Sequence, residues 1–236
     1  LFLSGGLDST AVLYAMQKVK PVSEIQSFAV GFEERSFDES AYAASVADQI
    51  GTVHHCESLS ADVMIDLVPR IVGLMDEPIG DPSFVPTYLL SRFTRRSVTV
   101  ALGGDGGDEL FLGYPTFFAH GLAENARRLL PGRTPALLRS LAERLVPVSS
   151  KNISLDYQLK RFLTGLSYGE WERHPVWIGA QPPREQGALF APGRVDAARV
   201  PEIVLADVHR HVARFKGAHT MDMAAYLYMK MYLENL

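Results

Sequence analysis

Three times in the first half of the chain, an apolar run short enough for a single β-strand meets glycine and gives way to a polar turn. These runs are Leu1–Leu3 before Ser4-Gly5-Gly6, Ile25–Phe32 with Gly31 near its end, and Val98–Leu102 before Gly103-Gly104. Helical apolar spacing fills the gaps: Ala11–Val19, then Asp38–Ile50 with Ser36 or Asp38 as its cap and Gly51 just past its end, Ala61–Leu74, and Pro86–Arg96. A short strand is expected over Thr52–Cys56. Strands alternating with helices predict an α/β fold, an open doubly wound parallel sheet with helices on both faces. In such sheets ligands sit beyond the carboxyl ends of the strands, so the three glycine turns are expected to converge on one site.

The first of these turns is the most specific. Two successive glycines let the backbone bend sharply and approach a bound anion, since no Cβ intervenes. Ser9 and Thr10 follow where a helix N-cap is expected, and the helix dipole adds positive potential there. An anion site results, with phosphate as its natural occupant. The turn has neither the lysine of a Walker-type loop nor G-x-G-x-x-G spacing, and carries Asp8 instead. A carboxylate meets phosphate through Mg²⁺, which favours one or two carboxylates plus phosphate oxygens. The pattern S-G-G-x-D-S resembles the pyrophosphate loop of the N-type ATP pyrophosphatases, which cleave ATP between the α and β phosphates. The plain alternative is a strand-turn-helix corner in which Asp8 only caps.

The turn after Val98–Leu102 interleaves Gly103, Gly104, Gly106 and Gly107 with Asp105, Asp108 and Glu109. Such a turn loses much entropy on ordering and crowds like charges, which favours a functional reason for it. One of its carboxylates can join Asp8 on Mg²⁺; a merely solvated acidic loop is the alternative.

Bulk properties narrow the classes. The 236 residues, 47% of them hydrophobic, suffice for a core, and a net charge of −4 lacks the basic footprint of a nucleic-acid binder. No apolar run reaches the roughly 18 to 20 residues that span a bilayer. Cys56 is the only cysteine, which excludes an internal disulfide and fits a reducing, cytoplasmic setting. The opening on Leu1, inside an expected strand, reads as an excerpt of a longer chain.

Six segments in order carry a family resemblance: S-G-G-L-D-S, S-F-A-V-G-F, F-D-E-S-A-Y-A, G-T-V-H-H, D-E-P-I-G-D-P-S and G-D-G-G-D-E-L-F-L-G-Y. Together they make residues 1–114 similar to the ATP-pyrophosphatase core of glutamine-dependent asparagine synthetases. Residues 115–236 would be the helical C-terminal portion of the same synthetase domain, cut short. The resemblance implies the adenine nucleotide alpha hydrolase-like, PP-loop fold and ATP and Mg²⁺ as cofactors. Aspartate would be adenylated on its side-chain carboxylate, and ammonia from an N-terminal glutaminase domain would displace AMP. Carried over by position, Ser4, Gly5, Gly6, Asp8 and Ser9 would cradle pyrophosphate, with Thr10 beside them. Leu3, Val30, Gly31, Gly103 and Gly104 would line the adenosine and α-phosphate pocket. Asp8 and Asp108 would hold Mg²⁺, and Asp105 would stand near the acyl-adenylate, where it could act on the incoming ammonia. A homodimer is compatible with this reading.

The chain also departs from the family. Gly103 replaces a usual serine, Asp105 stands where many members have glutamate, and Asp76–Thr87 lacks an arginine that grips the substrate in some members. The chain stops at Glu234-Asn235-Leu236, before the segment that carries a catalytic lysine in that family. Two other readings therefore stay open: a related amide- or lactam-forming enzyme acting on another acid, and a nucleotide-binding module without turnover.

The second half is expected to be helical over Thr116–Leu130, Ala136–Leu145, Leu155–Thr164, Glu202–Arg214 and Met221–Leu236, broken at Pro131-Gly132, Pro147 and Gln181-Pro182-Pro183. The methionine stripe of the last segment reads as core, and Arg127, Arg128, Arg194 and Arg199 as solvated faces. Adjacent strand residues His54, His55 and Cys56 point to opposite faces and cannot share an ion. Trp171, His174 and Trp177 read as packing residues, with the lining of a substrate mouth as the alternative.

Overall fold

A computed structural model describes residues 1–76, 80–130, 132, 134–149, 154–217 and 219–235. Glu77, Pro78 and Ile79 of the D-E-P-I-G-D-P-S segment, Pro131 of the expected break and Leu236 at the end of the last helical pattern lie outside the described residues. The chain divides into two compact units, Leu1–Asp105 and Gly106–Leu236.

The first unit is α/β. Helix α1 (Leu7–Met16) is followed by strand β1 (Gln26–Phe32), α2 (Ser40–Ile50), β2 (Val53–Leu59), α3 (Ala61–Val72) and α4 (Phe84–Thr94). Strands β1 and β2 pair in parallel from Gln26 with Val53 to Phe32 with Leu59. On the other side of β1, Phe2 bridges Phe28 in parallel, and Leu3 N–H donates to the Phe28 carbonyl at 2.9 Å.

Side-chain alternation along β1 assigns the faces. Ala29 belongs to a core with Leu1, Leu3, Leu13 of α1, Ile25, and Ala43 and Ala47 of α2. The alanines of α2 let helix and sheet approach closely, and Gly51 ends that helix in the left-handed conformation. Phe28, fully buried and pointing the other way, stacks on His55 and meets Phe93 of α4 edge-on, with centroids 5.8 Å apart.

Two expectations change here. Val98–Leu102 forms no strand: its recorded ladder contact is the Phe2 N–H on the Leu102 carbonyl, 2.8 Å, and Val100 is 77% exposed. A β-branched run becomes a strand only where successive backbone groups meet a partner, and the stub beside it offers one rung. The sheet among the described residues is accordingly the β1–β2 pair rather than a broad open one. Helix α1 also begins at Leu7, four residues earlier than its apolar spacing indicates.

The second unit is helical among its described residues. It comprises α5 (Gly107–Phe111), α6 (Pro115–Leu129), α7 (Thr134–Leu145), α8 (Leu155–Leu166), α9 (Arg173–Ile178), α10 (Pro183–Gln186), α11 (Val200–Arg214) and α12 (Thr220–Met231). Leu163, Leu166 and Trp177 form one core with Ala123 and Ala142. Met223 and Leu227 of α12 form another with Leu205, Val208, Tyr168 and Val176, so the methionine-rich helix is a core element.

Candidate functional site

The turn Ser4–Ser9 is built by its own hydroxyls. Ser9 Oγ accepts from the Ser4 N–H (3.3 Å), lies 3.1 Å from Ser4 Oγ and donates to the Gly6 carbonyl (3.3 Å). Ser4 Oγ accepts from the Gly6 N–H at 3.1 Å. This corrects the expected capping: Gly6 is the N-cap residue with no side-chain cap, while Ser9 and Thr10 lie inside the helix. Ser9 still serves the helix start, because its buried hydroxyl reaches back across the first turn. Thr10 Oγ1 is buried without a hydrogen-bond partner.

Glycine is required at two points. Gly5 has φ +80°, and a Cβ there would lie 2.6 Å from the Tyr42 carbonyl carbon in α2. Gly104 lies against the start of α1, where a Cβ would sit 2.8 Å from the Ser9 nitrogen and 3.1 Å from Asp8 Cβ. Within the first unit the backbones of the first and third glycine turns therefore meet at the N-terminus of α1. First-turn amides of a helix have no intrahelical acceptor, and they carry the positive end of the dipole.

Gly31 lies beside the start of α2, with Asp38 Oδ1 and Ser40 Oγ each 3.2 Å from its would-be Cβ. Asp38 Oδ1 accepts from Ser40 N–H (3.0 Å) and Phe32 N–H (3.3 Å), joining the end of β1 to α2. The Ser40 hydroxyl and N–H hold the Asp38 carboxyl below its ordinary range. Leu3 is buried, and Val30 is half-buried on β1.

The acidic residues divide between the units. Asp8, half-buried in the first turn of α1, and exposed Asp105, whose carboxylate folds back over Gly103, belong to the first. Asp108 belongs to the second, in the first turn of α5. Gly103–Glu109 is expected to be a loop throughout, yet Gly107 onward is helical, because Asp and Glu suit a first helical turn next to the dipole. Glu109, expected among the carboxylates of an open turn, is instead 1% exposed and accepts the Tyr114 hydroxyl at 2.8 Å. Burial and this carboxylate push the Tyr114 phenol upward, so it remains a donor. The five-residue spacing from Glu109 to Tyr114 is the only sequence signal of that pair.

The remaining expectations resolve locally. His54 Nδ1 lies 2.9 Å from Ser27 Oγ while His55 stacks on Phe28, so the two histidines do face opposite ways. His174 and Trp177 are buried, and Trp171 stacks with the buried His120.

The first unit is thus an α/β unit with a glycine-framed, donor-rich helix N-terminus, the arrangement that receives anions generally. The chain belongs to the asparagine synthase family, whose description matches residues 1–236. It is 43% identical over 115 residues to a putative asparagine synthetase [glutamine-hydrolyzing] 2 of Methanocaldococcus jannaschii, covering 49% of this chain and 22% of that protein. It is 36% identical over 113 residues to asparagine synthetase [glutamine-hydrolyzing] 1 of Bacillus subtilis (48% and 18%). It is 31% identical over 144 residues to asparagine synthetase B of Escherichia coli (55% and 25%). The aligned stretch thus spans a quarter or less of each of these relatives.

Proposed function

We propose that this chain is the ATP-handling part of a glutamine-dependent amide ligase that makes asparagine from aspartate. In the reaction, an aspartate side-chain carboxylate attacks the α-phosphorus of ATP, the bond to the β-phosphate oxygen breaks, and pyrophosphate leaves. Ammonia then attacks the acyl carbon and AMP departs, the nitrogen coming from a glutaminase domain of the parent protein. The observation that carries this reading is the start of α1, where Ser4, Gly5, Gly6 and Ser9 form a hydroxyl-tied turn with Gly104 against it.

In this reading, that turn and Asp8 receive the pyrophosphate, with Thr10 supplying its buried hydroxyl. Leu3, Val30, Gly31, Gly103 and Gly104 border the nucleotide, and Asp105 stands toward the reacting acyl group. The family resemblance assigns Mg²⁺ to Asp8 and Asp108, whose carboxylate oxygens suit such a hard cation. When bound, the ion would supply charge neutralisation for the departing pyrophosphate. Preorganised first-turn amides add stabilisation in the transition state without reorganising.

ATP–pyrophosphate exchange in the parent protein, run with aspartate and a panel of other acids, tests the reading. Aspartate-dependent exchange should fall about 100-fold or more in Asp8→Asn, the size of losing one preorganised transition-state contact. Exchange with another acid alone would change the substrate, and nucleotide binding without exchange would reduce the chain to a binding module.

A further inference from the structure

Helix α6 carries His120 and Glu124 one turn apart, on the same face. Glu170, in the turn ahead of α9, meets that face, and ligand atoms of the three residues all lie within 4.8 Å of one another. Among the described residues no other group of three or more histidine, cysteine, aspartate or glutamate side chains comes together in this way.

The histidine supplies a second, independent observation. His120 is fully buried, and its Nε2 has no hydrogen-bond partner, with Glu170 Oε1 3.8 Å away. Its other nitrogen, Nδ1, lies 2.9 Å from Nε2 of the buried His174. In the tautomer whose Nδ1–H donates to His174 Nε2, the His120 Nε2 lone pair faces the carboxylates. This is the arrangement in which a ligating imidazole is oriented by a partner behind it. A buried ring nitrogen left without a hydrogen-bond partner is costly.

We propose that His120 Nε2, Glu124 and Glu170 bind a divalent transition cation, Zn²⁺ foremost, which ties α6 to the turn before α9. One imidazole with two carboxylates suits such an ion better than Ca²⁺ or Mg²⁺, which favour all-oxygen sets. Tetrahedral Zn²⁺ with ligands at about 2.1 Å holds its donors roughly 3.4 Å apart. Glu124 and Glu170 have side chains 41% and 38% exposed, so they can swing inward and leave the ion reachable from solvent. Arg173 Nη2 lies 2.9 Å from Glu124 Oε1, so its guanidinium pairs with one of the two carboxylates.

The test is Zn²⁺ titration of the metal-stripped full chain against a chromophoric chelator, with Co²⁺ absorption as a second readout. The wild-type chain should take up one equivalent at neutral pH. Glu170→Gln, at a half-exposed position, should weaken that uptake about tenfold or more, leave far-UV circular dichroism unchanged, and abolish any Zn²⁺-dependent rise in Tm. Should that variant lose its fold, Glu170→Asp keeps the charge, shortens the arm, and should weaken binding in the same direction. Absence of stoichiometric uptake, or equal affinity in wild type and the folded variant, would overturn the proposal and leave an ion-pair network around Arg173.

Discussion

At the scale of single residues, the turn before α1 depends on positions where one added atom has nowhere to go. Gly5 combines a positive φ with backbone of α2 at 2.6 Å, and neither the left-handed conformation nor the contact can relax without moving Tyr42. Gly5→Ala is expected to destabilise the chain by about 2 kcal/mol or more, read from the urea midpoint at constant m-value. Ser9→Ala would remove one hydroxyl that serves three partners, about 1 kcal/mol by the same measurement. Glycine pairs and a serine were visible in the sequence as a turn. That the serine would sit within the helix rather than cap it was not, because a helix can start at any residue whose backbone geometry permits.

At the scale of elements, the junction of β1 and α2 rests on the Asp38 carboxylate, which receives two backbone N–H groups. Asp38→Ala should cost about 1 kcal/mol at pH 7, as for a lost helix cap. The carboxyl is held below its ordinary value of 3.8, so its contribution is present above about pH 4 and is lost as pH falls through the folded-state value. The gap between wild type and Asp38→Ala should therefore narrow on acidification below pH 4, followed by chemical denaturation. In α8 the usual propensity gain of about 1 kcal/mol for glycine to alanine reverses, because a Cβ on Gly165 would overlap the buried Trp177 indole. Gly165→Ala should lower Tm and shift tryptophan emission to the red. Helical periodicity made α8 legible, but nothing along one helix reveals which of its residues another ring will press against.

At the scale of the whole molecule, charge sets a condition on the ligand. With 27 acidic against 23 basic residues, the chain has no surplus of positive charge for a polyphosphate. Under the proposed function, ATP affinity measured by calorimetry should therefore fall tenfold or more when Mg²⁺ is removed with EDTA; unchanged affinity would argue against a role for the cation. From the sequence alone came the alternation of strand and helix in the first half, the helical second half, the glycine turns and the family. The elements and turns follow from local periodicity and backbone sterics, which each short segment expresses by itself, and the family from six motifs in order along the chain. Only the tertiary structure decided that Val98–Leu102 stays outside the sheet, that Glu109 is buried under Tyr114, and that His120, Glu124, Glu170 and Arg173 gather in one place. Strand pairing and the burial of charge depend on partners distant in the chain, and a linear pattern does not record which of those partners arrive.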